Sequence, residues 1–524
     1  MKKSPQYLIG MTTTALFALI LSGCVPSSDP SPGDSTLVVD TSFQLVTADP
    51  ARLIEPTAIM ISEAVYETLL TLDSEDATTP VGLLAESYEV SSDGLSYTFT
   101  LRDGVTFADG TPLTAADVLF SFERVQNIQG SPSFLVEGMS FAAPDARTFV
   151  INLTAPNPAV PAIVTSPSLG VLNSAVVQSN GGQSGPGADQ SDTAEASLNA
   201  DSQGSGPYAI TSFSTVDTVT LTRNDDYWGE EPAFSQIVIR NVDATVQKLN
   251  ISAGESDLAL DLSSDQIAGD TGLNVVTGAS PNLIFLFSND NPAISPISSS
   301  PDFQEAVRYG LDYEALTALA GKGAIQAAGV VPSMFAGALA SDLAPERDVA
   351  RAKEALGRMS ADPTATLHYA SDVVINGVSF NDMAISIQSS LAEVGITIKL
   401  DGQPLSVARE SYIAGRDEMG MWAWTPDFPD AGNYQIFFPG NLIATRAGWP
   451  ATASPLIADL ASRAAVDTDP TTRQDLYQRA QEPMLKRSPF VPLIQPSQVL
   501  VANPDLRGVT ANPVWLVDLK SLHF

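Results

Sequence analysis

A single cysteine, Cys24, occurs in this chain of 524 residues, and it lies near the amino terminus. One cysteine cannot form a disulfide within the chain, so packing and hydrogen bonds must hold any fold together. Hydrophobic residues make up 44% of the sequence, which indicates folded globular structure. Because a single core stops growing at about 250 to 300 residues, the length predicts more than one core and, most simply, two lobes.

The residues before Cys24 have the layout of a secretory signal. Two lysines precede a mostly apolar stretch, 7–21, which is shorter than the roughly 20 residues of a membrane-spanning helix. The segment LSGC at 21–24 resembles the lipobox of bacterial lipoproteins, whose cysteine is acylated and becomes the first mature residue. The resemblance implies a signal peptide at 1–23 and export. Cys24 would then be a lipid anchor on the outer face of the cell membrane, or on the periplasmic side in a two-membrane cell.

Acidic residues outnumber basic ones and give a formal charge of −34. Cleavage before Cys24 would also remove Lys2 and Lys3 and take the charge to about −36. Such a surface repels phosphate and offers no basic patch, so nucleic acid is excluded as a partner.

Two stretches are poor in apolar residues. The run 24–35 is rich in Pro, Ser, Gly and Asp and predicts a flexible tether. The run 181–205 is rich in Gly, Ser, Gln and Asp and predicts a surface loop.

The hydrophobic period changes along the stretch between these two runs. Apolar residues recurring every four positions predict one helix that carries Ile61, Val65 and Leu69. Alternation over 95–101, just after a turn at 93–94, predicts a half-buried antiparallel strand. Thr114 and Asp117 then predict a capped helix that runs to about Val125.

Groups that enzymes use are scarce. His368 and His523 are the only histidines, and a Ser-His-Asp apparatus would have to use His368, whose neighbours predict a strand. No lysine has a serine three residues before it, which excludes a Ser-x-x-Lys nucleophile. With its one cysteine lipidated, the chain also lacks the usual ligands of a metal site. The sequence therefore predicts no enzyme, no metal and no cofactor.

A series of motifs spans almost the whole mature chain. They are LAESY at 84–88, YTFTLRDGV at 97–105, DGTPLTA at 109–115, GSGPY at 204–208, LTRNDDYWG at 221–229, AGESD at 253–257, AVRYGLD at 306–312 and WTPDFPD at 424–430. Their order and spacing resemble the family 5 bacterial solute-binding proteins, which include oligopeptide, dipeptide and nickel binders.

The resemblance implies an α/β fold of two lobes, of the periplasmic-binding-protein or Venus flytrap type, with an inserted subdomain. The expected parts are lobe I at 36–65, 205–280 and 498–524, the inserted subdomain at 66–204, and lobe II at 281–497. Chain crossings near Pro281 and Ser497 would form a hinge for domain closure around a solute.

The densest group of aromatic residues lies in 421–438. Trp422 and Trp424 alternate as on a strand with both indoles on one face, and Asp427 follows beyond the strand end. In peptide-binding relatives the Asp of a similar Trp-x-x-Asp segment pairs with the α-ammonium group of the ligand, which implies that role for Asp427. Asp430 is then expected to be a turn residue.

One departure concerns the other end of the ligand. Some oligopeptide binders carry an arginine three residues before the Trp of this segment, where Met421 stands here. Arg409 and Arg416 are nearby in sequence, either as ligand contacts or as surface charges. The remaining expected ligand contacts are Phe428, the segment Ser42, Phe43 and Gln44 on the other cleft wall, and Asn289 near the exit of the hinge.

These features predict a monomeric receptor that captures small peptides and delivers them to the permease subunits of an ABC importer. Two alternatives stay open. One is a binder of a non-peptide solute, such as an oligosaccharide or a metal chelate. The other is a lipoprotein that presents peptides to a signalling partner or acts as a chaperone.

Overall fold

The computed structural model of the protein describes residues 35–53, 55–73 and 76–524. The predicted signal peptide at 1–23 and the anchor at Cys24 lie outside the described residues, as does the tether at 24–35 except for Ser35. Within the described part, no helix is both long enough and apolar enough to cross a membrane.

Among the described residues, seven strands form the sheet of lobe I. In spatial order they are Asn274–Ala279, Ser497–Ala502, Leu258–Ala259, Thr36–Thr41, Gln236–Asn241, Thr218–Arg223 and Tyr208–Phe213. Thr36–Thr41 is parallel to both of its neighbours, and the other pairs are antiparallel. Leu37 and Val39 alternate into the core, where helix Pro56–Val65 packs on the sheet. This lobe therefore collects strands from the beginning, the middle and the end of the chain.

Six strands in the described chain form a second sheet, that of lobe II. Their spatial order is Ile325–Gln326, Phe490–Gln495, Leu283–Ser288, Met419–Trp424, Thr364–Ala370 and Thr397–Gln403. Every residue of Leu283–Ser288 is buried, because apolar clusters cover both faces of this sheet.

The chain crosses between the two sheets at two adjacent places. Residues 280–282 join Asn274–Ala279 to Leu283–Ser288, and Pro496 joins Phe490–Gln495 to Ser497–Ala502. The four strands pair antiparallel across both sheets, so the two crossings lie side by side.

A smaller sheet lies in the part of the chain predicted to form the inserted subdomain, 66–204. In the described part its order is Ala85–Val90, Ser96–Leu101, Thr148–Leu153 and Met139–Ala142. The antiparallel strand predicted at 95–101 is confirmed, with Tyr97, Phe99 and Leu101 buried. The predicted cap at Thr114 is also confirmed, because Thr114 and Asp117 form a reciprocal capping box, although the helix continues to Ile128.

The helix predicted to carry Leu69 is shorter than expected. It ends at Val65, because Tyr66 takes an extended backbone conformation. Ile61 and Val65 pack in the core of lobe I, whereas Leu69 packs in the core of the inserted subdomain. The prediction for Leu69 is wrong because the chain passes from one core to the other within these four residues.

The prediction of a surface loop at 181–205 is also wrong in part. Asp192 accepts a 2.9 Å hydrogen bond from Nε of Arg124, and both side chains are fully buried. A buried arginine needs a charged partner, which draws this stretch against the subdomain. Leu198 is buried in the core of lobe I. The stretch contains the short helices Ala188–Ser191 and Glu195–Ala200.

The remaining helices surround the sheets. They are Val160–Ile163, Ser174–Ser179, Ala244–Ala253, Pro301–Gly310, Tyr313–Leu319, Val349–Arg358, Phe380–Val394, Leu405–Ile413, Leu442–Arg446, Pro455–Val466 and Pro470–Gln481. Three two-stranded ribbons complete the regular structure of the described chain: Leu70–Leu72 with Pro80–Gly82, Val374–Ile375 with Val378–Ser379, and Ala511–Asn512 with Leu516–Val517.

Candidate functional site

The strand Met419–Trp424 lies inside the lobe II sheet and ends near the crossing at 280–282, where Trp424 pairs with Leu283. Successive side chains on a strand point to opposite faces. Trp422 and Trp424 accordingly share one face, while Met421 is fully buried in the apolar cluster on the other. An arginine at position 421 would therefore point away from the two indoles.

Trp424 and Asp427 are linked through a third side chain. The indole Nε1 of Trp424 donates a 2.7 Å hydrogen bond to Oδ1 of Asn433, and Nδ2 of Asn433 lies 3.5 Å from Oδ2 of Asp427. Asn433 belongs to the 3₁₀ helix Ala431–Phe437 and is buried. Sequence reasoning missed Asn433.

The carboxyl group of Asp427 is the most unusual group on this face. Burial raises its pKa to about 6, and the hydrogen bond from Asn433 opposes that rise only in part. No lysine, arginine or histidine of the described residues lies within ion-pair distance of it. Asp427 is half-buried, so a solute can still reach it, and a carboxylate without a protein cation can accept a cationic group from a solute.

Asp430, three residues later, has a different environment. It accepts hydrogen bonds from Nη1 of Arg473 at 2.8 Å and from the backbone N–H of Gly432 at 2.6 Å. It thereby caps the 3₁₀ helix that carries Asn433. The expectation that Asp430 is a turn residue is confirmed, and its charge is already balanced.

Trp422 lies deeper than Trp424. Its indole stacks on Tyr412 of helix Leu405–Ile413, with ring centroids 4.4 Å apart, and the guanidinium of Arg446 lies 4.9 Å above the Tyr412 ring. Trp422 is only 8% exposed. These contacts place Trp422 beneath the candidate site. Of the two indoles, that of Trp424 is nearer to solvent.

The side chains of residues 42–44, after the first strand, lie in two different environments. The backbone N–H of Ser42 donates a 2.6 Å hydrogen bond to the buried carboxylate of Asp261, and Ser42 and Gln44 are exposed. Phe43 instead packs in the core of lobe I. Ser264, three residues after Asp261, donates from Oγ to the carbonyl oxygen of Lys322 in lobe II, so the chain next to this segment contacts the other lobe.

Asn289 lies at the opposite end of the strand pair from Trp424. Its backbone N–H donates to the carbonyl oxygen of Glu418, which is about 20 Å along the strand from Trp424 at 3.4 Å per residue. The side-chain amide is buried and donates a 3.0 Å hydrogen bond to the carbonyl of Asp417. Asn289 is therefore not at the hinge exit, contrary to expectation, and its bonds hold backbone within lobe II.

The candidate cations and histidines lie elsewhere. Arg416 is exposed and pairs with Glu410. Arg409 is also exposed and lies, like Glu410, on helix Leu405–Ile413. His368 pairs with Asp401 at 2.9 Å on neighbouring strands. Across the described residues, no group of three or more His, Cys, Asp or Glu could hold a metal ion.

Comparison with known proteins decides the class. The model of the bacterial extracellular solute-binding proteins, family 5, matches residues 79–443. The chain belongs to this family. Family 5 proteins are the extracytoplasmic solute-binding components of ABC importers, so this chain binds solutes and is not an enzyme.

Relatives of this protein match it over nearly the whole length of the chain. A probable D,D-dipeptide-binding periplasmic protein of Escherichia coli K12, DdpA, is 28% identical over 95% of this chain and 96% of its own. A glutathione-binding protein of Escherichia coli O6:K15:H31, GsiB, is 25% identical, with 96% of each chain covered. The crystal structure of the ABC transporter substrate-binding protein CtaP from Listeria monocytogenes has a TM-score of 0.81 at 19% identity. The match covers 94% of this chain and 99% of the CtaP chain. The two-lobe fold is thereby confirmed.

Proposed function

We propose that this family 5 protein captures small peptides and pairs their free ammonium group with Asp427. The observation that carries the proposal is the half-buried carboxylate of Asp427, whose pKa is raised and which has no cationic partner among the described side chains. A desolvated charge that the protein leaves uncompensated costs stability, so its retention favours a role in binding.

The surroundings of Asp427 suit a peptide end. Trp424 offers an aromatic surface to a neighbouring cation or apolar side chain, and Asn433 orients the carboxylate by one weak hydrogen bond. Dipeptides and glutathione, the ligands for which DdpA and GsiB are named, both carry a free ammonium group. An oligosaccharide would bring no cation to this position.

Capture by closure follows from the two adjacent crossings at 280–282 and Pro496. Rotation about both would bring the edge with Ser42 and Gln44 toward the face with Trp424 and Asp427. Closure would remove water from the Asp427 carboxylate and strengthen its attraction to an ammonium group. The solute stabilises the closed state only by binding it more tightly than the open one.

The rest of the proposal concerns location and partners. Cys24 would carry a lipid anchor on the outer face of the membrane, and the flexible run 24–35 would let a monomeric two-lobe body reach the permease subunits. Met421 lies on the opposite face of the sheet from Trp424, so the carboxylate end of the peptide must meet groups other than residue 421.

The first test identifies the solute. Native mass spectrometry of the purified mature protein, followed by extraction, is expected to release molecules with a free amine. D-alanyl-D-alanine and glutathione, added separately, should displace the extracted solute or bind the emptied protein, whereas N-acetyl-D-alanyl-D-alanine should not. Equal binding of the acetylated and free dipeptides would refute the pairing, and recovery of a neutral sugar or a metal chelate would refute the peptide class.

A further inference from the structure

Phe428 directly follows Asp427 but packs in a different body. Its side chain is 8% exposed and belongs to the apolar cluster of the inserted subdomain. Within the described chain, the other buried members of that cluster come from 51–188. The aromatic residues after it, Tyr434 and Phe437, belong instead to the core of lobe II. Phe428 is thus a lobe II residue buried against the subdomain.

The contact around Phe428 is incomplete. A cleft of about 330 Å³, open to solvent, lies between Met139, Leu153 and Pro156 of the subdomain on one side and Phe428 and Val466 of lobe II on the other, and Arg473 is among the polar side chains that also line it. A partly polar boundary of this kind is typical of domains that move relative to each other more than of a permanent core.

A second point of contact lies nearby. A Cβ atom added to Gly94, in a hairpin turn of the subdomain, would lie 3.2 Å from Cγ2 of Thr468. Thr468 is in the corner between helices Pro455–Val466 and Pro470–Gln481 of lobe II. The subdomain therefore meets lobe II at its hairpin turn as well as at Phe428.

We infer that Phe428 is a positioning residue that latches lobe II onto the inserted subdomain and so fixes Asp427 toward the solute. The inference rests on the proposed function. Rotation about 280–282 and Pro496 would move lobe II relative to the subdomain, so a wider opening of the cleft would pull the Phe428 ring out of its apolar seat. Because Asp427 and Phe428 share one peptide unit, seating the ring restricts where the Asp427 carboxylate can lie.

The latch predicts a coupling between the two neighbours. Loss of the Phe428 ring lowers the population of the closed, binding-competent state, and apparent affinity falls in proportion to that population. If Phe428 served only as a direct contact with the solute, loss of the ring would also lower affinity, but it would leave hydrogen exchange of the subdomain unchanged in the ligand-free protein. The ligand-free protein therefore separates the two roles.

Hydrogen exchange of the ligand-free protein is the first arm of the test. Phe428→Ala is expected to speed exchange over 137–157, which faces Phe428, while Phe428→Leu restores much of the protection because it keeps apolar bulk. Phe524→Ala, at an exposed ring in lobe I, is the matched control and should leave this segment unchanged. Unchanged exchange over 137–157 in Phe428→Ala would overturn the latch, whatever the solute.

The second arm measures closure. Spin labels at Glu89 and Asp459, both exposed, report the distance between the subdomain and lobe II in a Cys24→Ala background free of other thiols. With D-alanyl-D-alanine as the probe, Phe428→Ala is expected to bind about tenfold more weakly or worse and to show a smaller closed fraction. Weaker binding with complete closure would overturn the latch in favour of direct contact. Failure of the wild type to bind the probe, with faster exchange in Phe428→Ala, would refute the peptide proposal and leave the latch standing.

Discussion

The indole Nε1 of Trp424 donates a 2.7 Å hydrogen bond to Oδ1 of Asn433, and this bond decides which way the Asn433 amide faces. An indole N–H is only a donor, so it must meet the amide oxygen. The amide nitrogen is thereby turned toward Oδ2 of Asp427, 3.5 Å away. Trp424 thus contributes both an aromatic surface and, through Asn433, the orientation of the candidate charge partner.

Trp424→Phe separates these two contributions, because it removes the N–H donor and keeps an aromatic ring. We expect a loss of about 1 kcal/mol in peptide binding, the usual worth of one hydrogen bond, measured by calorimetry. Trp424→Ala should lose clearly more, since it also removes apolar contact area. Unchanged affinity of Trp424→Phe would show that the bond to Asn433 has no part in binding, whereas equal losses in the two variants would show that the aromatic contact area has none.

The raised pKa of Asp427, about 6 against 3.8 for a free side chain, predicts how stability depends on pH. The folded, ligand-free protein binds this proton more tightly than the unfolded chain, so it loses stability as pH rises from about 4 to about 6. Asp427→Asn, neutral at every pH, should therefore be more stable than the wild type at pH 7.5 by about 3 kcal/mol. The difference should disappear near pH 4. Thermal melts of both proteins without ligand check this, and a less stable variant at pH 7.5 would contradict it.

The buried pairs of Arg124 predict a structural effect far from the solute. Nη1 of Arg124 contacts Oδ1 of Asp49 at 2.6 Å, and Nε contacts Asp192. Arg124→Met would leave buried carboxylates short of a cation and should destabilise the protein by about 3 to 5 kcal/mol. Arg147→Met, at an exposed pair with Glu86, should cost no more than about 1 kcal/mol. Denaturant unfolding measures both, and similar costs would argue against burial as the cause.

Cys24 predicts the location of the protein. If its thiol carries the lipid anchor, Cys24→Ala should move the protein from the membrane fraction to the soluble extracytoplasmic fraction. Fractionation and immunoblotting of cells expressing each form provide the measurement. Firm membrane association of Cys24→Ala would show that something other than this cysteine holds the protein there.

Local patterns in the sequence predicted local structure well. Alternation over 95–101 and the capping pair Thr114 and Asp117 depend on residues within one strand or one helical turn, and both were found. The errors arose where contacts with residues distant in sequence determine the structure. Asp192 is buried by its pairing with Arg124, which is 68 residues away. Nothing in the sequence of 181–205 alone predicts that pairing.

In the candidate site, too, features that depend on local sequence were predicted and features that depend on other contacts were not. The shared face of Trp422 and Trp424 follows from the period of a strand. Asn433 was missed because its position depends on the 3₁₀ turn capped by Asp430, not on spacing from Trp424. Phe43 was expected in the cleft, but an apolar residue between exposed Ser42 and Gln44 is the pattern of an edge segment with one face in the core.

The pairing of Asp427 with a solute ammonium group is tested most directly by calorimetry of Asp427→Asn with the amine-bearing solute at pH 7.5. Removal of the charge at nearly constant shape should cost about 2 to 5 kcal/mol, or at least about a thirtyfold weaker Kd. Asp459→Asn, an exposed carboxylate on lobe II, is the matched control and should bind like the wild type. A folded Asp427→Asn protein with unchanged affinity would contradict the account and make Asp427 a structural residue.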